Sequence, residues 1–319
     1  MGVEHVSFPS IEQYRNVCKL VRERAQHDGL PLPRLTFFGS VKLHGTNAGI
    51  GFTEDGEMWA QSRSLVLTPE ADHMGFAAWV RDNASAVPPL KSAVIFGEWC
   101  GGNIQKGVAI GKLPKMFVPF AVLQSGRWWS PSEMKNYFFH SGLRCIYDFP
   151  NWTRVIDFNR PEEYQNDLGE LTKAVEAECP VAKELGVSGV GEGIVWWAEH
   201  RNDFNTEGLV FKVKGEKHSE THVKTLAPVD VEKIANVRLL VDTIVTQHRL
   251  EKKLDDLKEK GLDVGIKNTG QFLKLVTGDV MKEEADTIAA SELPQTDVMR
   301  GVAMKAKQFF MENANAVPL

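Results

Sequence analysis

The sequence predicts an α+β chain: a domain of antiparallel sheets, then a small all-helical domain. Three observations carry this expectation. From Thr36 to about Gln61, short apolar runs alternate with glycine-containing turns, as in hairpin-connected strands. Further strand-like runs, "AVIFGEW", "MFVPFAV", "GEGIVWW" and "GLVFKVKG", recur up to about residue 215. Beyond Pro228 the texture changes, and apolar residues repeat at three- and four-residue spacing to about Met311. The expected domains are therefore 1–228 and 229–319.

Taken in order, Ser10 and Gln13 fit a capping box that opens a helix through about Ala25. "GLPLPRL" ends it, and "TFFGSVKL" starts the strands. A turn at His44-Gly45 leads into "NAGIGFT", and Asp55-Gly56 makes a hairpin into "EMWAQS". Thr68-Pro69-Glu70 reads as a helix start, with proline at its first position. Ser130-Pro131-Ser132-Glu133 is another, and residues 160–188 read as acidic and mostly helical. In the helical tail, Lys252-Lys253 and Lys258 to Lys260 have acidic neighbours, which predicts a solvated helix face.

Composition narrows the function classes. The chain has 319 residues, of which 43% are hydrophobic and 25% charged, and a net charge of -5. That balance argues against a protein that coats nucleic acid generally, but it allows a local basic patch. No apolar run approaches the roughly 18 residues of a membrane span. "MGVEHVSFPSIEQY" is not a signal peptide, so an intracellular protein without membrane attachment is expected. Cys18, Cys100, Cys145 and Cys179 form no C-x-x-C pair, which suggests reduced structural thiols.

The polar residues that end strands carry the chemistry. They are Lys42, Arg63, Glu98, Glu192, and Lys212 with Lys214. Two carboxylates and several cations beside the glycine-rich "CGGNIQKGVAIG" suit a nucleoside triphosphate with magnesium. The phosphates need cations, the metal needs a carboxylate oxygen, and the ribose needs acceptors. Lys212 and Lys214 alternate by two and so share a strand face. A lysine can attack only as the free amine, which nearby cations favour. The tetrapeptide Lys-x-x-Gly decides nothing, since it starts at Lys42, Lys183, Lys212, Lys258 and Lys267 alike.

The ordered set is informative. It runs Lys-Leu-His-Gly-Thr-Asn from Lys42 to Asn47, Phe96-Gly97-Glu98 then Ile104-Gln105-Lys106, Phe117-x-x-Phe120, Glu192-Gly-Ile-Val195, and Lys212-Val-Lys214. This order resembles the ATP-dependent RNA ligases of the covalent nucleotidyltransferase superfamily, most of all the nick-sealing phage RNA ligase 2 family. The helical tail also looks like that family's C-terminal domain. The resemblance implies an adenylyltransferase domain of the ligase type and ATP with Mg2+ or Mn2+. It also implies RNA with 5′-phosphate and 3′-hydroxyl ends, expected at a duplex nick during RNA repair in a phage-infected host cytoplasm, and a monomer. Lys42 would become lysyl-AMP, AMP would pass to the RNA 5′-phosphate, and the 3′-hydroxyl would then displace it.

By the same resemblance Glu98 would bind ribose hydroxyls, and Phe120 would stack on adenine while Phe117 stays in the core. Glu192 would engage the metal, and Lys212 and Lys214 would hold the α-phosphate. Leu43 would border the nucleotide, and Arg63 would sit near the AMP phosphate or the RNA ends. His44, Asn47 and Lys106 would fix the turn or contact nucleic acid. Pro119 predicts an edge or a bulge in the strand that carries Phe120. The alternatives are a DNA ligase or capping-type nucleotidyltransferase, which usually has an all-β OB-fold after the last motif, and an RNA-binding relative without activity.

Overall fold

The structure is a computed structural model that describes residues 3–215 and 237–315. The chain divides into two compact units after Gly215. The expected boundary at residue 228 lies outside the described residues.

In the first unit, β1 (Glu12–Gln13) leads into α1 (Tyr14–Asp28), β2 (Arg34–Lys42), β3 (Thr46–Phe52), β4 (Met58–Ser62) and β5 (Val66–Leu67). Then come α2 (Phe76–Asp82), β6 (Ala93–Cys100), β7 (Met116–Gln124), β8 (Arg127–Trp128) and α3 (Pro131–Phe138). The unit ends with β9 (Asn151–Asp157), α4 (Gln165–Ala177), α5 (Pro180–Glu184), β10 (Gly193–Ala198) and β11 (Val210–Lys214). A five-stranded sheet has the order β1-β11-β10-β2-β9, and a six-stranded sheet the order β5-β4-β3-β6-β7-β8. All pairings are antiparallel except β1 with β11. The chain crosses between the sheets at residues 43–45, from the end of β2 to the start of β3.

Four local readings of the sequence need correction. The Ser10–Gln13 capping box does not form, because the backbone of Glu12–Gln13 pairs with Phe211–Lys212, and α1 starts one residue later without a side-chain cap. The helix expected at Thr68 starts at Phe76 instead, where the Asp72 carboxylate accepts from the amides of Ala77 and Ala78 at 2.8 and 3.0 Å. The strand "NWTRVID" goes unread in the sequence yet lines the edge of β2 over seven residues. Lys253 is not on a solvated face but 6% exposed. The Ser130–Glu133 capping box forms as read, with Ser130 N donating to Glu133 Oε2 at 2.8 Å.

The core of the five-stranded sheet is aromatic: Tyr14, Phe37, Trp196 and Phe211 are almost fully buried together. Side chains on a strand alternate between faces, so Ile194 and Trp196 fill this core while Val195 and Trp197 turn to the opposite face. All four cysteines are free and buried.

The second unit, over its described residues, is helical: α6 (Val237–Ile244), α7 (Gln247–Glu259), α8 (Thr269–Ala290) and α9 (Gln295–Asn315). Leu250, Leu254 and Leu257 recur on one face of α7 and pack with Ile244, Phe272, Val276, Val302 and Phe310. Each such side chain contributes about 1.5–3 kcal/mol by leaving water. Arg249 is fully buried in the same unit, donating to Glu284 Oε1 at 2.9 Å, and Lys253 Nζ lies 2.7 Å from Asp279 Oδ1. No described helix is long and apolar enough to cross a membrane.

Candidate active site

Lys42, Gly193 and Lys214 stand directly opposite one another on β2, β10 and β11. Cross-strand partners share a face of the sheet, so the two lysines project on the same side with no side chain between them. The space is closed to a larger residue: a Cβ on Gly193 would lie 2.2 Å from the Val213 carbonyl oxygen. Glu192, the residue before this row, fills it. Its Oε2 accepts from Lys42 Nζ at 2.7 Å and lies 3.1 Å from His44 Nδ1, while Oε1 lies 3.3 Å from Lys214 Nζ. Two rows along the sheet, Val195 faces both Ser40 and Lys212, which puts Lys212 on the same side.

Glu192 is 2% exposed, so its charge is held almost out of water. Burial alone would raise its proton affinity. The opposing charges of Lys42 and Lys214, with the hydrogen bond and charge of His44, outweigh it and hold the carboxyl well below the ordinary carboxylate range. A buried carboxylate with two ammonium groups is stable only while all of them stay together.

The second carboxylate approaches from the other sheet. Glu98 on β6 faces Asn47 on β3, and its Oε1 accepts from the Gly45 amide at 2.8 Å. Gly45 is required here because a Cβ would come within 2.3 Å of the Trp99 carbonyl oxygen. The crossing between the sheets is thus held from both sides, by Glu192 through Lys42 and His44 and by Glu98 through Gly45. Leu43, between them, is buried at 5% exposure.

The strand that carries Phe120 is irregular at the expected place. Register jumps from Phe96–Ala121 to Gly97–Pro119, which leaves Phe120 as the extra residue of a bulge. Pro119 has no amide hydrogen to give the ladder. Phe120 is half-buried, and its ring meets Phe8 at 5.1 Å between centroids. Phe117 is core, buried against Phe76. Arg63 and Lys106 are exposed, just past β4 and in the loop after β6, and neither joins the ion pairs of Glu192 among the described residues. Sequence reasoning passed over Phe8, which touches Phe96, Phe120, Trp128 and Trp197. Nothing in its spacing marks it.

Chemically, the site offers a lysine against a buried carboxylate, two more cations on the same face, and a second carboxylate across the chain crossing. Among the described residues, no group of three or more His, Cys, Asp or Glu side chains is placed to hold a metal alone. One carboxylate completed by a ligand's own phosphates is how magnesium is commonly held, and the ionised Glu192 fits that use.

A family model described as RNA ligase matches residues 35–227. No curated protein matches the chain. Among solved structures, it is similar to the RNA ligase of Naegleria gruberi. A form of that protein with one lysine substituted, with ATP and Mn, shares 16% identity over 66% of this chain and 57% of that one, at a TM-score of 0.45. A glutamate-substituted form with ATP and Mn gives 15%, 66%, 57% and 0.46. The form with PPi gives 16%, 66%, 56% and 0.46. The chain thus spans just over half the length of these structures.

Proposed function

The chain belongs to the RNA ligase family, whose model matches more than half of its sequence, and from that premise we propose an ATP-dependent RNA ligase working through a lysyl-AMP on Lys42. The observation that carries the reading is one buried carboxylate, Glu192, shared by Lys42 and Lys214. It supports a lysine kept beside cations rather than one left in solvent.

In the first step Lys42, as free amine, attacks the α-phosphorus of ATP. The Nζ–P bond forms, the bond to the bridging oxygen breaks, and pyrophosphate leaves with the electron pair. Attack requires Lys42 to release Glu192 Oε2 and shed a proton. Lys212 and Lys214, on the same face, offset the phosphate charge. In the second step an RNA 5′-phosphate oxygen attacks the same phosphorus, and the Nζ–P bond breaks, with the amine taking up a proton. In the third step the 3′-hydroxyl loses its proton and attacks the RNA 5′-phosphate, and AMP leaves. A divalent cation, Mg2+ or Mn2+, would be held by Glu192 and would neutralise phosphate charge when bound. Glu98 would take the ribose hydroxyls, and Phe120 would stack on the base.

We assign the preferred substrate to nicks in duplex RNA, as expected for RNA repair. Incubating the protein with ATP, magnesium and one labelled pair of RNA strands, annealed as a nick or left unpaired, tests this. Sealing at the nick alone supports the assignment and gives the helical unit a duplex-holding role. Sealing only of unpaired strands keeps the chemistry and refutes the substrate.

A further inference from the structure

The N-terminal segment lies on the face of the six-stranded sheet that carries Glu98. Gln61 on β4 faces Gly49, and Gly49 faces Phe96, so the three share a face with Glu98, two residues from Phe96. Gln61 is 1% exposed and bonds Val6 in both directions: Val6 N donates to its Oε1 at 3.1 Å, and its Nε2 donates to Val6 O at 2.7 Å. His5 Nε2 lies 3.2 Å from Ser62 O. Residues 5 and 6 are therefore held over the face of β4 by side-chain bonds, two through the Gln61 amide and one through the His5 ring.

This clip delivers Phe8 to one place. Its ring centroid is 5.2 Å from Phe96, 5.1 Å from Phe120, 5.6 Å from Trp128 and 6.2 Å from Trp197. Three of those rings belong to the six-stranded sheet and Trp197 to the five-stranded one, on the same face of β10 as Val195 and Gly193. Phe120 is the bulged residue and lacks a regular partner across β6, so the backbone ladder does not fix its ring. The edge contact with Phe8, at 72° between ring planes, supplies what the ladder omits.

We propose that Phe8 is a positioning residue for the nucleotide base: clipped through Val6 to Gln61, it holds the bulged Phe120 in its stacking orientation. The proposal rests on the reading of Phe120 and of nucleotide transfer to Lys42. A residue that acts on the base alone changes how ATP binds but not how fast bound ATP reacts.

The test follows the rate of covalent labelling by α-labelled ATP against ATP concentration, in wild type and in Phe8→Ala, Phe8→Leu and Phe8→Tyr. Phe8→Ala is expected to raise KM about tenfold with kcat nearly unchanged, the range an oriented aromatic pair covers. Phe8→Tyr restores the wild-type KM, whereas Phe8→Leu, which fills space without a ring, does not. Inhibition by tripolyphosphate, which has no base, stays the same in all four. Thermal melts separate this from loss of fold, and Phe8→Leu carries the same expectation if Phe8→Ala fails to fold. An unchanged KM in a labelling-competent Phe8→Ala overturns the proposal. So does a lowered KM, which would make Phe8 an occupant that ATP displaces. No labelling by wild type would instead overturn the nucleotide-transfer reading itself, and Phe8's role with it.

Discussion

Lys42 and Lys214 lie on either side of Gly193 in one cross-strand row and meet the two oxygens of the same carboxylate, Glu192, at 2.7 and 3.3 Å. That carboxylate is out of water, so each lysine depends on it and it depends on both.

Replacing Glu192 by glutamine should therefore destabilise the first unit as well as stop nucleotide transfer. Removing one partner of a buried ion set leaves the others uncompensated, at a cost of roughly 3–5 kcal/mol. Urea unfolding of Glu192→Gln at neutral pH measures it. A difference below about 0.5 kcal/mol, the level of a surface change, would contradict the packing described.

The pH dependence has a definite sign. The Glu192 carboxyl is held well below its ordinary value of 4.5, so the unfolded chain takes up the proton first. The stabilisation is full above that value and drains away as pH falls toward the folded one. The stability gap between wild type and Glu192→Gln should shrink as pH is lowered below 4.5, as urea melts across that range would show. A gap that widens on acidification would contradict the assignment.

Gly45→Ala places a methyl carbon 2.3 Å from the Trp99 carbonyl oxygen and moves the amide that Glu98 accepts. Overpacking of this kind costs about 1–3 kcal/mol. Its expected signature is a loss of covalent labelling with near-native circular dichroism. Wild-type labelling by Gly45→Ala would show that the crossing between the sheets has slack that the distances deny.

In the helical unit, Arg249→Met should lower the unfolding midpoint, because the fully buried Glu284 would lose the guanidinium that bonds it at 2.9 Å. Adding Glu284→Leu should recover part of the loss, since an apolar pair can replace a buried ion pair at little cost. Circular dichroism melts of the full chain give both values. A wild-type midpoint for Arg249→Met would contradict the network.

What the sequence disclosed, it disclosed through local pattern. Lys42, Glu192 and Lys214 are legible because strand ends beside glycines leave few other placements for charged groups. Pro119 likewise points to an edge or a bulge, since it has no amide hydrogen to give a ladder, and the structure has the bulge. What stayed hidden depends on partners distant in sequence. Ser10 and Gln13 read as a capping box until β11, some two hundred residues on, takes the backbone of Glu12–Gln13. Lys253 reads as solvated until Asp279 arrives from another helix. Phe8 gave no sign, because its four ring contacts come from four different strands.

The most direct test of the account is to incubate the protein with ATP and magnesium, digest it, and locate the AMP adduct by mass spectrometry. The account predicts one phosphoramidate, on the peptide containing Lys42, absent from Lys42→Ala and also from Lys42→Arg, whose guanidinium stays protonated. An adduct on another residue, or an adduct that survives in Lys42→Ala, would contradict it.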